Sequence, residues 1–116
     1  MKKSKESYKF RLEHIVDAIN NIEIISKDLS RDEFVSDLTA SSAVCYQFLI
    51  IGEAVASLPA EITDLYKYSW YKPRSSRNFL SHGYFGVDRI MVFDTIKKDL
   101  PELRKLINKI ISDLQP

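Results

Sequence analysis

The chain has 116 residues and a mass of 13.4 kDa, enough for one hydrophobic core and too little for two. Apolar residues make up 45% and charged residues 28%, which excludes a disordered polymer, and 17 basic against 16 acidic side chains exclude any global charge argument for nucleic acid or membrane. One cysteine, Cys45, excludes an internal disulfide framework and a multi-cysteine zinc site.

The opening run Met1-Lys2-Lys3-Ser4-Lys5-Glu6 is basic, but no apolar stretch of a signal peptide follows it. No uninterrupted apolar run approaches a length of about 18 residues, so no membrane span and a cytoplasmic location are expected. From Tyr8 to Leu29 the positions Leu12, Ile15, Ile19, Ile22, Ile25 and Leu29 recur at spacings of three and four, which predicts a helix. Ser30 through Asp37 reads as a short connecting turn of helix. Ser41 or Ser42 is the expected N-cap of the next helix, which runs to about Ser57 with Val44, Phe48, Ile51, Val55 and Leu58 as its stripe.

Ala43, Cys45, Leu49, Ile50 and Ala54 fill the gaps in that stripe. A helix apolar nearly all round belongs at the centre of a bundle or at a subunit interface. Cys45 reads there as a small buried hydrophobe. Pro59 opens a short helix with Ile62 and Leu65 as contacts, and Pro73 fits the first turn of another that ends near His82-Gly83. Asp88 is the expected cap of the last stretch, where Ile90, Phe93, Ile96, Leu100, Leu103, Ile107, Ile110 and Leu114 keep the rhythm. This predicts one long helix kinked at Pro101, or a break and restart after Asp99. No segment alternates with period two for long. The fold class is all-α, an up-and-down bundle of four to five helices in a single domain spanning 1–116.

Local charge says more than total charge. No acidic residue lies between Asp64 and Asp88, whereas Lys67, Lys72, Arg74 and Arg77 are basic. The same stretch holds Tyr66, Tyr68, Trp70, Tyr71, Phe79, Tyr84 and Phe85. Cations that neutralise phosphates and faces that stack on unpaired bases are the ingredients of a single-stranded RNA site. The plainer reading is a solvated basic turn with aromatics plugging the bundle end, and Trp70 and Phe79 suit the core better than a stacking platform. His14 has no second histidine near it and reads as a surface or packing residue. No Glu-x-x-His or His-x-x-x-His pair, Gly-rich phosphate loop or Gly-x-Ser-x-Gly occurs. His82 follows Arg77 by five residues, which on a regular helix sets them about 140° apart. A helix loosened at His82-Gly83 can bring both to one rim; the plainer role for His82 is to close a helix C-terminus.

The run Arg77-Asn78-Phe79-Leu80-Ser81-His82-Gly83-Tyr84-Phe85-Gly86-Val87-Asp88 resembles the HepT-like branch of the HEPN superfamily. The signature is Arg, a polar residue, three variable residues, His, any residue, then Tyr, and Arg77, Asn78, His82 and Tyr84 fall on it. Ile50-Ile51-Gly52-Glu53-Ala54, Leu58-Pro59, Trp70 and Asp99-Leu100-Pro101 resemble the flanking segments, so the likeness runs from about residue 8 to 110. Ser75-Ser76 stand where the family usually carries Gly-Met.

The resemblance implies a HEPN-like bundle and the toxin of a bacterial type VII toxin–antitoxin system. Such a toxin is a metal-independent endoribonuclease with no cofactor, acting at a homodimer cleft on an RNA substrate. It implies Arg77 and His82 as catalytic residues and Asn78 as a supporting one. It also implies that an MntA-like nucleotidyltransferase antitoxin transfers AMP to Tyr84. Glu53, in an otherwise apolar helix, is either a second supporting residue or part of that helix's polar stripe. Lys72, Arg74 and Arg89 are the expected RNA-backbone contacts. The alternative is a non-catalytic HEPN partner module that binds or presents substrate to a nucleotidyltransferase.

Overall fold

The stripe of Leu12, Ile15, Ile19 and Ile22 becomes the fully buried edge of α1 (Lys5–Ser26). The computed structural model describes residues 5–77 and 88–114, and these form seven helices and no strand. The bundle is all-α, as its periodicity requires. The count exceeds four to five because short connecting segments are themselves helical and the last stretch is divided. α1 stops three residues before the expected Leu29. The buried Ser26 hydroxyl turns back to the Ile22 carbonyl at 2.8 Å, and the Leu29 amide donates to the Ser26 carbonyl at 3.0 Å.

α2 (Arg31–Ser36) is started by a reciprocal pair: the Glu33 amide donates to the Ser30 hydroxyl at 3.1 Å and the Ser30 amide to the Glu33 carboxylate at 2.9 Å. Its Phe34 is fully buried, with ring centroid 5.5 Å from that of Phe93. α3 (Leu38–Ala56) begins earlier than expected, because Asp37 and not Ser41 or Ser42 caps it. The Asp37 carboxylate accepts the Ala40 amide at 2.9 Å, and the Ser41 hydroxyl, already inside the helix, donates to the Asp37 carbonyl at 2.8 Å.

α3 is the central element, packed on α1 along most of its length and also on α2. Val44, Phe48, Ile51 and Val55 are 2% exposed or less. Its length and apolar composition are those of a membrane span, but half of the apolar window is buried inside the bundle, as in a core helix. Cys45 is buried, as the sequence predicts.

α4 (Ala60–Leu65) follows Pro59 and buries Ile62; Leu65, expected as a contact, is 71% exposed. α5 (Tyr71–Ser75) contains the buried Pro73 in its first turn and packs on α3. The expected end of this helix at His82-Gly83 lies outside the described residues. α6 (Arg89–Lys98) is capped as expected by Asp88, whose carboxylate accepts the Met91 amide at 3.0 Å. Val92 is fully buried there while Ile90, placed on the buried stripe from sequence, is 47% exposed.

α7 (Leu100–Asp113) restarts after Asp99, which is the second of the two predicted arrangements. Pro101 falls in the first turn of α7, where a missing amide leaves no bond unmade. Leu103, Ile107 and Ile110 bury α7 against α1. Across that junction the Arg104 guanidinium donates to Glu23 at 3.2 Å and Asn20 at 2.7 Å. At this exposure the ion pair contributes about 0.2–1 kcal/mol.

Candidate functional site

The site is built where α5 meets α3. The chain approaches it through Trp70, only 7% exposed, whose indole N–H donates to the Tyr66 carbonyl at 2.9 Å. The Tyr68 ring meets the indole edge-on at 5.4 Å. Burial, then the nearby Glu102 and Asp99 charges, push the Tyr68 phenol up. Trp70 is therefore a core residue and not a stacking face. The bond from its indole leaves no buried polar atom unmet.

α5 then presents Tyr71, Lys72 and Arg74 to solvent. Pro73 and Ser76 point inward, Ser76 being only 4% exposed. Ser75 and Ser76 both direct their hydroxyls at the Lys72 carbonyl, at 2.9 Å and 3.4 Å. Ser76 keeps right-handed helical angles (φ −58°, ψ −26°), so the chain is still helical as it enters Arg77. Arg77 is exposed, on the turn that follows.

This turn comes closest to α3 at Gly52. A Cβ built on it would lie 2.8 Å from the Arg77 amide nitrogen, 3.1 Å from the Arg74 carbonyl oxygen and 3.1 Å from the Arg77 Cβ. The backbone of the α5 turn thus rests directly on the backbone of α3. In the sequence Gly52 stands only as part of the segment Ile50-Ile51-Gly52-Glu53-Ala54, yet a glycine in a helix interior is the signal that something approaches closely.

Glu53, next to Gly52, is exposed, on the same outward strip as Ser42, Tyr46 and Ala56. Arg89, the first residue of α6, is half-buried and donates to the Val35 carbonyl at the end of α2, at 3.0 Å. Its charge also reaches Cys45, where it partly opposes the burial that pushes the thiol up. Cys45 and Gly52 are seven residues, about two turns, apart on α3 and share a face. The structure thus leaves Lys72, Arg74 and Arg77 exposed along α5 and the turn after it, sets the Arg74 and Arg77 backbone against Gly52, leaves Glu53 exposed on α3, and gives the Arg89 side chain a partner on α2. Asn78, His82 and Tyr84 lie outside the described residues. His14 packs its ring on Phe10, centroids 4.1 Å apart. Among the described residues, no three His, Cys, Asp or Glu side chains gather as a metal site.

Three chemical capacities follow from the described part: exposed guanidinium and ammonium groups for phosphates, an exposed Tyr71 ring, and no acidic residue on α5 to repel an anion. Comparison with known proteins agrees with that chemistry. The family described as "Ribonuclease HepT-like" matches residues 15–110. "Putative RNase MJ0125" of Methanocaldococcus jannaschii is 35% identical over 112 residues, 96% of this chain and 97% of that protein. "Probable ribonuclease HepT" of Thermococcus cleftensis is 34% identical over 107 residues, 91% of this chain and 97% of that protein. "Gamma-glutamylcyclotransferase and putative RNase MJ0434" of Methanocaldococcus jannaschii is 35% identical over 111 residues; these are 95% of this chain but span only 50% of that protein. No solved structure matches the chain.

Proposed function

The chain belongs to the family of HepT-like ribonucleases, and from that premise we propose that it is a metal-independent endoribonuclease acting as a type VII toxin. The observation that carries this is the match over residues 15–110, which encloses the whole run from Arg77 to Tyr84. The exposed cations of α5 beside Arg77 support it, since they suit the backbone of a single-stranded RNA. In this reading Lys72 and Arg74 hold flanking phosphates. Arg89 contributes less, because one of its donors is engaged by the Val35 carbonyl.

RNA brings its own nucleophile. The ribose 2′-oxygen attacks the adjacent phosphorus and loses its proton to His82, an imidazole being the side chain best suited to take up and release protons at physiological pH. The bond from phosphorus to the 5′-oxygen breaks, and that oxygen takes up a proton from water as it leaves. The products are a 2′,3′-cyclic phosphate and a 5′-hydroxyl. Arg77 binds the phosphate oxygens through two donors and stabilises the charge that builds on them. Asn78 orients the phosphate or the imidazole, and Glu53 stands exposed on α3 next to Gly52, on that helix's polar strip.

Two copies related by a two-fold axis set two such motifs across one cleft. A nucleotidyltransferase antitoxin silences the site by placing AMP on Tyr84, two residues from His82. The bulk and negative charge of the adenylate exclude RNA, so the switch needs no distant conformational change.

The test is RNA cleavage by purified protein in EDTA, comparing wild type with His82→Ala and analysing the cut ends. Cyclic phosphate ends made by wild type and absent with the variant are expected. Absence of cleavage by unmodified wild type on total cellular RNA overturns the nuclease reading in favour of a partner module for a nucleotidyltransferase.

A further inference from the structure

Gly52 stands inside a nineteen-residue helix, where glycine weakens the helix relative to alanine. Its backbone does not need the freedom, since no described glycine has a positive φ. What it supplies is room. The nearest atoms to a Cβ there are the Arg77 amide, the Arg74 carbonyl and the Arg77 Cβ, so a methyl group would press on main chain and on the root of a side chain. None of these is a flexible end that can swing aside.

We propose that Gly52 is the positioning residue of Arg77: its missing side chain lets the Arg77 backbone bear on α3, and this contact fixes where the guanidinium meets the scissile phosphate. This role presupposes the ribonuclease reading and adds to it the residue that aims its arginine. An arginine side chain has several freely rotating bonds, so the accuracy of its charged end depends on a fixed root. The buried, helical Ser76 delivers the chain to that root on one side, and α3 supports it on the other. Catalytic groups must be held within about 0.5 Å, and a misplacement of about 1 Å costs on the order of a hundredfold in rate.

The experiment compares wild type, Gly52→Ala, Arg77→Ala and the double variant in turnover of a single-stranded RNA oligonucleotide in EDTA. Gly52→Ala is expected to lower kcat about tenfold or more with KM within about threefold, because the charge added to the phosphate in the transition state makes the reach of the arginine count for more there than in the ground state. Added to Arg77→Ala it is expected to cost nothing further, since both act through one guanidinium. The inference is overturned if Gly52→Ala costs the same factor with Arg77 already removed, or turns over at the wild-type rate. A Gly52→Ala chain that does not fold also overturns it, making the glycine a requirement of the fold alone. If wild type cuts no RNA, the ribonuclease reading falls and takes the scissile phosphate with it, and crystal structures of wild type and Gly52→Ala decide what is left of the inference, that Gly52 positions Arg77. An Arg77 Cα displaced from α3 by about 0.3 Å or more upholds it, and a smaller shift overturns it.

Discussion

α3 is packed in opposite ways on its two sides. Toward the core it offers Val44, Phe48, Ile51 and Val55, large buried side chains on a helix that packs against α1 and α2. Toward α5 it offers no side chain at Gly52, and backbone rests on backbone. Interlocked side chains adjust to a change by shifting rotamers, and each buried one contributes about 1.5–3 kcal/mol. A backbone contact contributes little area and has no slack. Stability and the aim of the exposed cations are therefore carried by different contacts, which can be lost separately.

The sharpest way to break that separation is Phe48→Ala. Removing a ring that is 2% exposed should cost about 3–5 kcal/mol in denaturant unfolding, while cleavage per folded molecule stays near wild type. A turnover loss in the folded fraction would mean that core and site are coupled. Arg77→Ala probes the other side. It should lower cleavage about 100-fold, with the unfolding free energy lowered by about 1 kcal/mol or less, since the residue is exposed.

Ser30→Ala is a smaller stability change far from the α5 turn. It removes one half of the α2 capping pair, so about 1 kcal/mol of stability should be lost at neutral pH with no change in cleavage. The smallest effect belongs to the bond from Tyr66 to Asp113 at 2.6 Å. The Tyr66 hydroxyl, then Lys109, hold the Asp113 carboxyl below its ordinary 3.8, and the same bond, foremost, lifts Tyr66 above 10.0. A depressed carboxyl adds stability above its ordinary value that disappears as pH falls through the folded value. A raised phenol adds stability below its ordinary value that disappears as pH rises through the folded one. The pair should leave stability level between about pH 5 and 9 and let it decline on either side. In denaturant midpoints measured against pH, Tyr66→Phe should lessen both slopes, leaving on the alkaline side the part that Tyr68 and Cys45 contribute and on the acid side the part that Glu33 contributes.

The contrast also explains what could be read from the sequence. The stripes of α1 and α7 were legible because burial on one face imposes spacings of three and four residues. The start of α3 was not, because Asp37, Ser41 and Ser42 all offer cap-forming oxygens; only the fold decides that Ser41 bonds backward to Asp37. The Ser30-x-x-Glu33 pair stood in the sequence and identifies α2 as a helix in its own right. Leu65 and Ile90 kept the apolar rhythm yet are exposed, since rhythm cannot tell which positions a neighbouring helix covers. At the site, Arg77 and its neighbouring cations were marked by type and spacing. The Gly52 contact was marked only by the glycine itself, which signals a close approach but not the segment twenty-five residues further on that makes it.

The single thiol in the middle of α3 has a practical consequence. Cys45 is 4% exposed, and burial holds its thiol above the ordinary 9.0, so both access and the reactive thiolate are withheld from a reagent in water. Labelling must then wait until α3 parts from its neighbours. With a fast reagent in excess, the rate at which Cys45 is modified counts those openings one at a time. The chain thereby carries its own clock for how often its central helix comes loose, readable by mass spectrometry without an added probe.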